Sequence, residues 1–163
     1  MKHTNRFTLW IILASATLTV MAGAIIAPGL NQMRDGLGVD EAAAGRIITT
    51  HGLLIALFSP LMGNVIDRVG PKKPYVFGLV VFGLAGGAGL FIDSYWALIV
   101  SRAILGVGAA AFFAAITVII FGLYTGEERD QAMGWRASAN SVGGIIWPLL
   151  GGALGQVSWH LPF

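Results

Sequence analysis

Apolar and polar positions fall in long alternating blocks along this chain. Five apolar runs cover about residues 7–30, 43–66, 75–92, 95–124 and 132–157. Short polar stretches separate them: Asn31 to Glu41, Asp67 to Pro74, Asp93-Ser94 and Thr125 to Gln131. A helix needs roughly 20 apolar residues to cross a hydrocarbon core of about 30 Å. The runs have about that length and lack the two-residue alternation of a barrel strand, so the pattern predicts helices. The expected fold is therefore an all-α membrane protein with five transmembrane helices. The first run exceeds a signal-peptide core of about 7–15 residues, although Ala22-Gly23-Ala24 resembles a cleavage site. The fourth run is longer than a bilayer requires, which predicts a tilt or a projection into water. The polar stretches read as loops, and Ser158 to Phe163 reads as a loop leading toward a further helix.

Composition sharpens this picture. The chain has 163 residues, of which 56% are hydrophobic and 11% charged. A soluble domain carries about 25% charged residues, so this chain belongs in a lipid bilayer. A net charge of +2 is too small to suggest nucleic acid as a partner. There is no cysteine, which excludes disulfides and thiolate metal sites. The sequence contains no phosphate-binding loop, no metal-ligand cluster and no nucleophile–histidine–acid set, so neither an enzyme nor a cofactor is expected.

The distribution of charge orients the spans. With the amino terminus in the cytoplasm, the inner side holds Lys2, Arg6, Arg68, Lys72, Lys73, Arg129 and Arg136, and the outer side only Arg34 and Arg46. That satisfies the positive-inside rule, and the opposite orientation violates it. The turn from Gly63 to Pro74 then lies on the cytoplasmic side. It concentrates Asp67, Arg68, Lys72 and Lys73 between two apolar segments. Arg102 is the exception, a charge placed inside the fourth span. An arginine in a membrane helix costs at least about 2.5 kcal/mol on insertion scales. Only seven residues separate it from the start of its span, so its charge can either snorkel to the interface or serve a function.

The turn Gly63-x-x-x-Asp67-Arg68-x-Gly70-x-Lys72-Lys73 resembles the signature loop of the major facilitator superfamily of secondary transporters. Pro71 departs from the basic residue usual there. The resemblance implies a conformational latch, with Asp67 accepting from a helix amino terminus or pairing with an arginine. Arg102-x-x-x-Gly106-x-Gly108 resembles the fourth-helix motif of the same family, with Arg102, Gly106, Ala109, Phe113 and Thr117 along one helical face. That resemblance implies a part for Arg102 in proton coupling or in binding an anionic group. Gly143, Pro148, Gly151 and Gly152 match a fifth-helix motif associated with antiporters, while Trp147 stands where the pattern has glycine. The Ser158-Trp159-His160 ending and the Ala27-Pro28-x-Leu30 segment resemble drug:proton antiporters.

The resemblance spans the whole chain, but only the amino-terminal half of a twelve-helix transporter. It implies a six-helix bundle here, a carboxyl-terminal half beyond it and alternating access between the two. It also implies a bacterial inner membrane location, protons and a small drug-like or amphipathic substrate as partners, and efflux as the activity. The same pattern would fit a metabolite facilitator or symporter, or an inactive truncated fragment. His51, after Thr49 and Thr50, is a further candidate for relaying protons, because histidine changes charge near neutral pH. No carboxylate lies in the middle of any span. Thr17, Met21, Phe113 and Asn140 are candidates for the lining of a mainly apolar cavity.

Overall fold

The computed structural model describes residues 3–163. It contains α1 (His3–Ala24), α2 (Leu30–Leu37), α3 (Glu41–Val69), α4 (Lys72–Ala88), α5 (Tyr95–Leu123) and α6 (Gly126–Gly155). Single 3-10 turns at Ala27–Gly29 and Gly89–Phe91 complete the helical content. No strand occurs among the described residues. Four stretches are long and apolar enough to cross a membrane: Phe7–Leu37, Glu41–Val69, Lys72–Phe91 and Tyr95–Leu123. The fifth expected span, α6, has 30 residues but falls outside that set. Its first turns carry Glu127, Glu128, Arg129 and Asp130, and its middle carries Arg136, Ser138, Asn140 and Ser141.

The helix ends correct several boundaries. Asn31 to Glu41 is not simply a loop, because α2 occupies Leu30–Leu37. Leu30, Met33 and Leu37 recur at helical spacing, and Met33 is buried. Gly38 then ends the helix in the left-handed region at φ 63°. Asp40 caps α3 by accepting from the Ala43 amide at 2.6 Å, so α3 starts before residue 43. The charged turn is shorter than 67–74. Asp67 and Arg68 lie in the last turn of α3, and Lys72, Lys73 and Pro74 form the first turn of α4. Proline is tolerated there because the first-turn amides lack intrahelical partners. Only Gly70, at φ 78°, and Pro71 link the two helices. The stretch from Thr125 to Gln131 is helical from Gly126, where Glu127 and Glu128 complement the positive helix start.

Helix α5 is the hub. Both α3 and α4 pack along it, while α6 packs along α1. The α4–α5 contact is backbone-close. A methyl group on Gly78 would meet the Gly108 carbonyl oxygen at 2.5 Å and the Phe112 amide nitrogen at 2.8 Å. Small residues replace hydrophobic drive as the basis of helix association in a bilayer. Phe82 and Phe112 meet edge to face at 5.4 Å beside this contact, and Ser101 Oγ–H donates to the Ala85 carbonyl at 2.6 Å. Ser15 of α1 is hydrogen-bonded to the Tyr75 hydroxyl of α4. One hydrophobic cluster gathers around Phe112, Ile116 and Ile120. A second, around Ile26, Met33, Ile47 and Leu98, closes the end opposite the Gly70–Pro71 turn.

Candidate functional site

Among the described residues two cations are buried, one on α5 and one on α6. Arg102 is 2% exposed, so it does not snorkel to an interface. Ser101 binds α4 beside it, and the Arg102 guanidinium reaches the Gly86 carbonyl at a long 3.5 Å. Its charge sits over the Phe163 ring, 4.7 Å from the centroid. The Nε atom has no hydrogen-bond partner. One turn further along α5, Gly106 abuts His51 of α3. A methyl at Gly106 would meet the His51 carbonyl oxygen at 2.7 Å, and one at Gly23 of α1 would meet the His51 ring at 2.9 Å. Two glycines therefore seat His51 between α1 and α5, and its Nδ1 is buried without a partner. Gly106 packs against α3 at His51 and Leu54, whereas Gly108 packs against α4 at Gly78 and Phe82, so the two glycines serve different helix contacts.

The α1–α6 seam is built from the expected fifth-helix residues. Gly143 lies against Thr17, and a methyl there would meet Thr17 Cβ at 3.1 Å. Gly151 touches the Ile25 backbone, and Gly152 lies near Pro28. Pro148 sits inside α6 without ending it. Trp147, the departure from the glycine pattern, ties α6 to α1, because its Nε1–H donates to the Thr17 carbonyl at 3.1 Å. That bond occupies a carbonyl that helix geometry alone leaves with a free lone pair. Met21 packs into the second hydrophobic cluster. Asn140 is half-buried, and its Oδ1 has no partner. An apolar groove of about 400 Å³ runs between α1 and α6, lined by Trp10, Leu13, Ala14, Thr17, Trp135, Ser138, Ala139 and Val142. Of the expected cavity residues only Thr17 lines it.

The Gly63–Lys73 turn is assembled differently from expectation. Nothing lies within 4 Å of a methyl placed on Gly63, so Gly63 makes no close helix approach. Asp67, Arg68, Lys72 and Lys73 are all exposed. Among the described residues the ion pairs are Arg34–Asp35 and His160–Asp93, both at 2.9 Å, and neither involves this turn. Arg129 and Arg136, two arginines that could offer Asp67 a partner, are engaged elsewhere. Arg129 stacks on Phe121 at 5.0 Å. Arg136 turns inward to α5. Lys2, counted toward the orientation, lies outside the described residues, and so does the side chain of Arg6.

Arg136 is the residue that sequence reasoning missed. It is 6% exposed. Its Nη1–H donates to Thr117 Oγ1 at 2.6 Å and its Nη2–H to the Phe113 carbonyl at 3.4 Å. The guanidinium also lies over the Phe113 ring, 4.6 Å from the centroid. Charge counting grouped it with the loop cations. The available signal was its position: ten residues into α6, it faces the α5 stripe of Phe113 and Thr117.

Comparison with known proteins agrees with this architecture. The chain is similar to Multidrug resistance protein 1 of Bacillus subtilis (strain 168), at 29% identity over 162 residues, covering 98% of this chain and 41% of that protein. It is similar to the Bacillibactin exporter of the same organism, at 29% identity over 161 residues, covering 94% of this chain and 40% of the exporter. Puromycin resistance protein pur8 of Streptomyces alboniger is 31% identical over 154 residues, covering 93% of this chain and 31% of that protein. The chain thus spans less than half the length of these relatives. The Major Facilitator Superfamily model matches residues 12–163, nearly the whole chain, and the chain belongs to that superfamily of membrane transporters.

Proposed function

We propose that this chain is the amino-terminal part of a proton-coupled efflux transporter for small amphipathic molecules. It would work by alternating access against a carboxyl-terminal bundle. The single observation that carries the reading is Arg102: a guanidinium buried in a membrane helix, with one long carbonyl contact and an unpartnered Nε. Such a charge is expensive to bury and marks a functional position in a membrane protein. His51 lies one turn along the same interior, with Nδ1 unpartnered. Together they supply one fixed charge and one group able to change charge near neutral pH. The names of the relatives, multidrug resistance proteins and an exporter, support export as the direction.

In this reading α6 is the fifth span, the amino terminus is cytoplasmic and the protein sits in a bacterial inner membrane. The exposed charges of the Gly70–Pro71 turn, free of ion pairs within the described residues, are available to latch a partner bundle. Dye efflux from cells expressing the transporter, with and without a protonophore, tests the reading. Efflux should stop when the proton gradient collapses, and efflux that persists rejects proton coupling. Asp67→Ala should slow transport without lowering the amount of protein in the membrane.

A further inference from the structure

The efflux reading gives Arg102 and His51 their parts but leaves Arg136 without one. Helices α5 and α6 barely touch, because α6 lies along α1. Arg136 bridges them. Its hydrogen bonds to α5 use two of five N–H groups, and both acceptors, Thr117 Oγ1 and the Phe113 carbonyl, are neutral. Neither ion pair among the described residues involves it, so its charge is uncompensated there. One helical turn along the same face stands Asn140, whose buried Oδ1 lacks a donor. A buried polar atom without a partner calls for a missing one. Phe113, Thr117 and Asn140 are only half-buried, so their side chains remain accessible from outside the helices.

We propose that Arg136 and Asn140 form a recognition site for the anionic group of the cargo. The favoured cargo is then an amphipathic molecule bearing a carboxylate and, placed toward the next turn of α6, a hydrogen-bond donor. This deepens the efflux reading and rests on it. A guanidinium presents its spare N–H groups as a fork that matches a carboxylate. The Asn140 Oδ1 accepts from the cargo hydroxyl or amide. The Phe113 ring, already under the guanidinium, adds an aromatic face. A cationic cargo would meet the like charge of Arg136 and be rejected. The countercharge can come from the cargo or from a carboxylate elsewhere in the complete transporter, and the test separates the two.

Calorimetric titration of the purified transporter in detergent uses three matched probes: 6-hydroxy-2-naphthoate, 2-naphthoate and 6-hydroxy-2-naphthylmethylammonium. The hydroxynaphthoate should bind tightest and the ammonium weakest. Arg136→Gln should weaken binding of both naphthoates about tenfold or more, the scale of a charge-assisted contact, whereas Arg136→Lys should keep most of it. Asn140→Ala should erase the advantage of the hydroxyl and leave 2-naphthoate unchanged. Melting temperature reports whether each variant folds. If Arg136→Gln does not, the probe order of wild type and Arg136→Lys still decides. The proposal is overturned if wild type binds the ammonium as well as the naphthoates, as a resident carboxylate would produce. It is also overturned if wild type binds neither naphthoate, or if Arg136→Gln binds both normally. Binding is read without a gradient, so anion-selective binding without efflux rejects the transport reading alone. Efflux without anion preference rejects this site alone.

Discussion

Helices α5 and α6 are nearly equal in length, 29 and 30 residues, and differ in almost everything else. Helix α5 has buried positions all along its length, from Leu98 to Ile120, while Trp96, Val100 and Ile104 face outward. Helix α6 is buried only at Ala132, Arg136, Gly143, Gly151 and Gly155. In α5 most buried positions are apolar or small, and the helix is a pivot for two neighbours. In α6 the buried positions are an arginine and small residues, while Ile145 and Leu149 are 66% and 69% exposed. Hydrophobicity in a membrane helix does not report burial, because lipid is as apolar as the protein interior. Small and polar residues report it better.

Several substitutions would break or sharpen that contrast. The largest effect is expected at Gly78. Gly78→Leu must displace α5 backbone, and should cost about 3 kcal/mol or more, read as a collapse of the folded fraction in detergent. Gly144→Leu on α6, where a methyl would meet nothing within 4 Å, should leave the melting temperature unchanged. Next is Phe112→Ala, which empties a fully buried site beside Phe82 and should cost about 3 kcal/mol in the same assay. Trp147→Phe removes one hydrogen bond from the α1–α6 seam and should cost about 1 kcal/mol. A smaller loss still is expected at His160→Ala. Its partner Asp93 is 84% exposed, so the loss should stay below about 1 kcal/mol and shrink further in high salt.

The same contrast explains what the sequence could reveal. The five long helices, the charge of Arg102 inside one of them and the close packing at Gly106 and Gly151 were legible, because span length, intramembrane charge and small-residue spacing are local signals. Helix α2 was hidden: eight residues with glycine and charged side chains read as a loop until Met33 is seen buried. The turn at Gly70–Pro71 was drawn too long because charged residues can end a membrane span without ending its helix. Arg136 was hidden for the same reason in reverse. It lies close enough to a charged stretch to be counted with it, and only the packing of α6 on α1 turns it inward. The unpartnered atoms of His51, Arg102 and Asn140 belong to tertiary structure and have no sequence signature.

The contact between Gly78 and Gly108 also constrains how the protein is made. Two backbones that touch without side chains between them fit in one register only. A slip of a single residue would thrust Leu79 or Val107 into the gap. The two helices are joined by a short link around Asp93 and emerge from synthesis one after the other. They are therefore suited to enter the bilayer as a hairpin already locked in alignment. The later α6 then joins a template whose alignment is settled, and α1 must remain free to receive it.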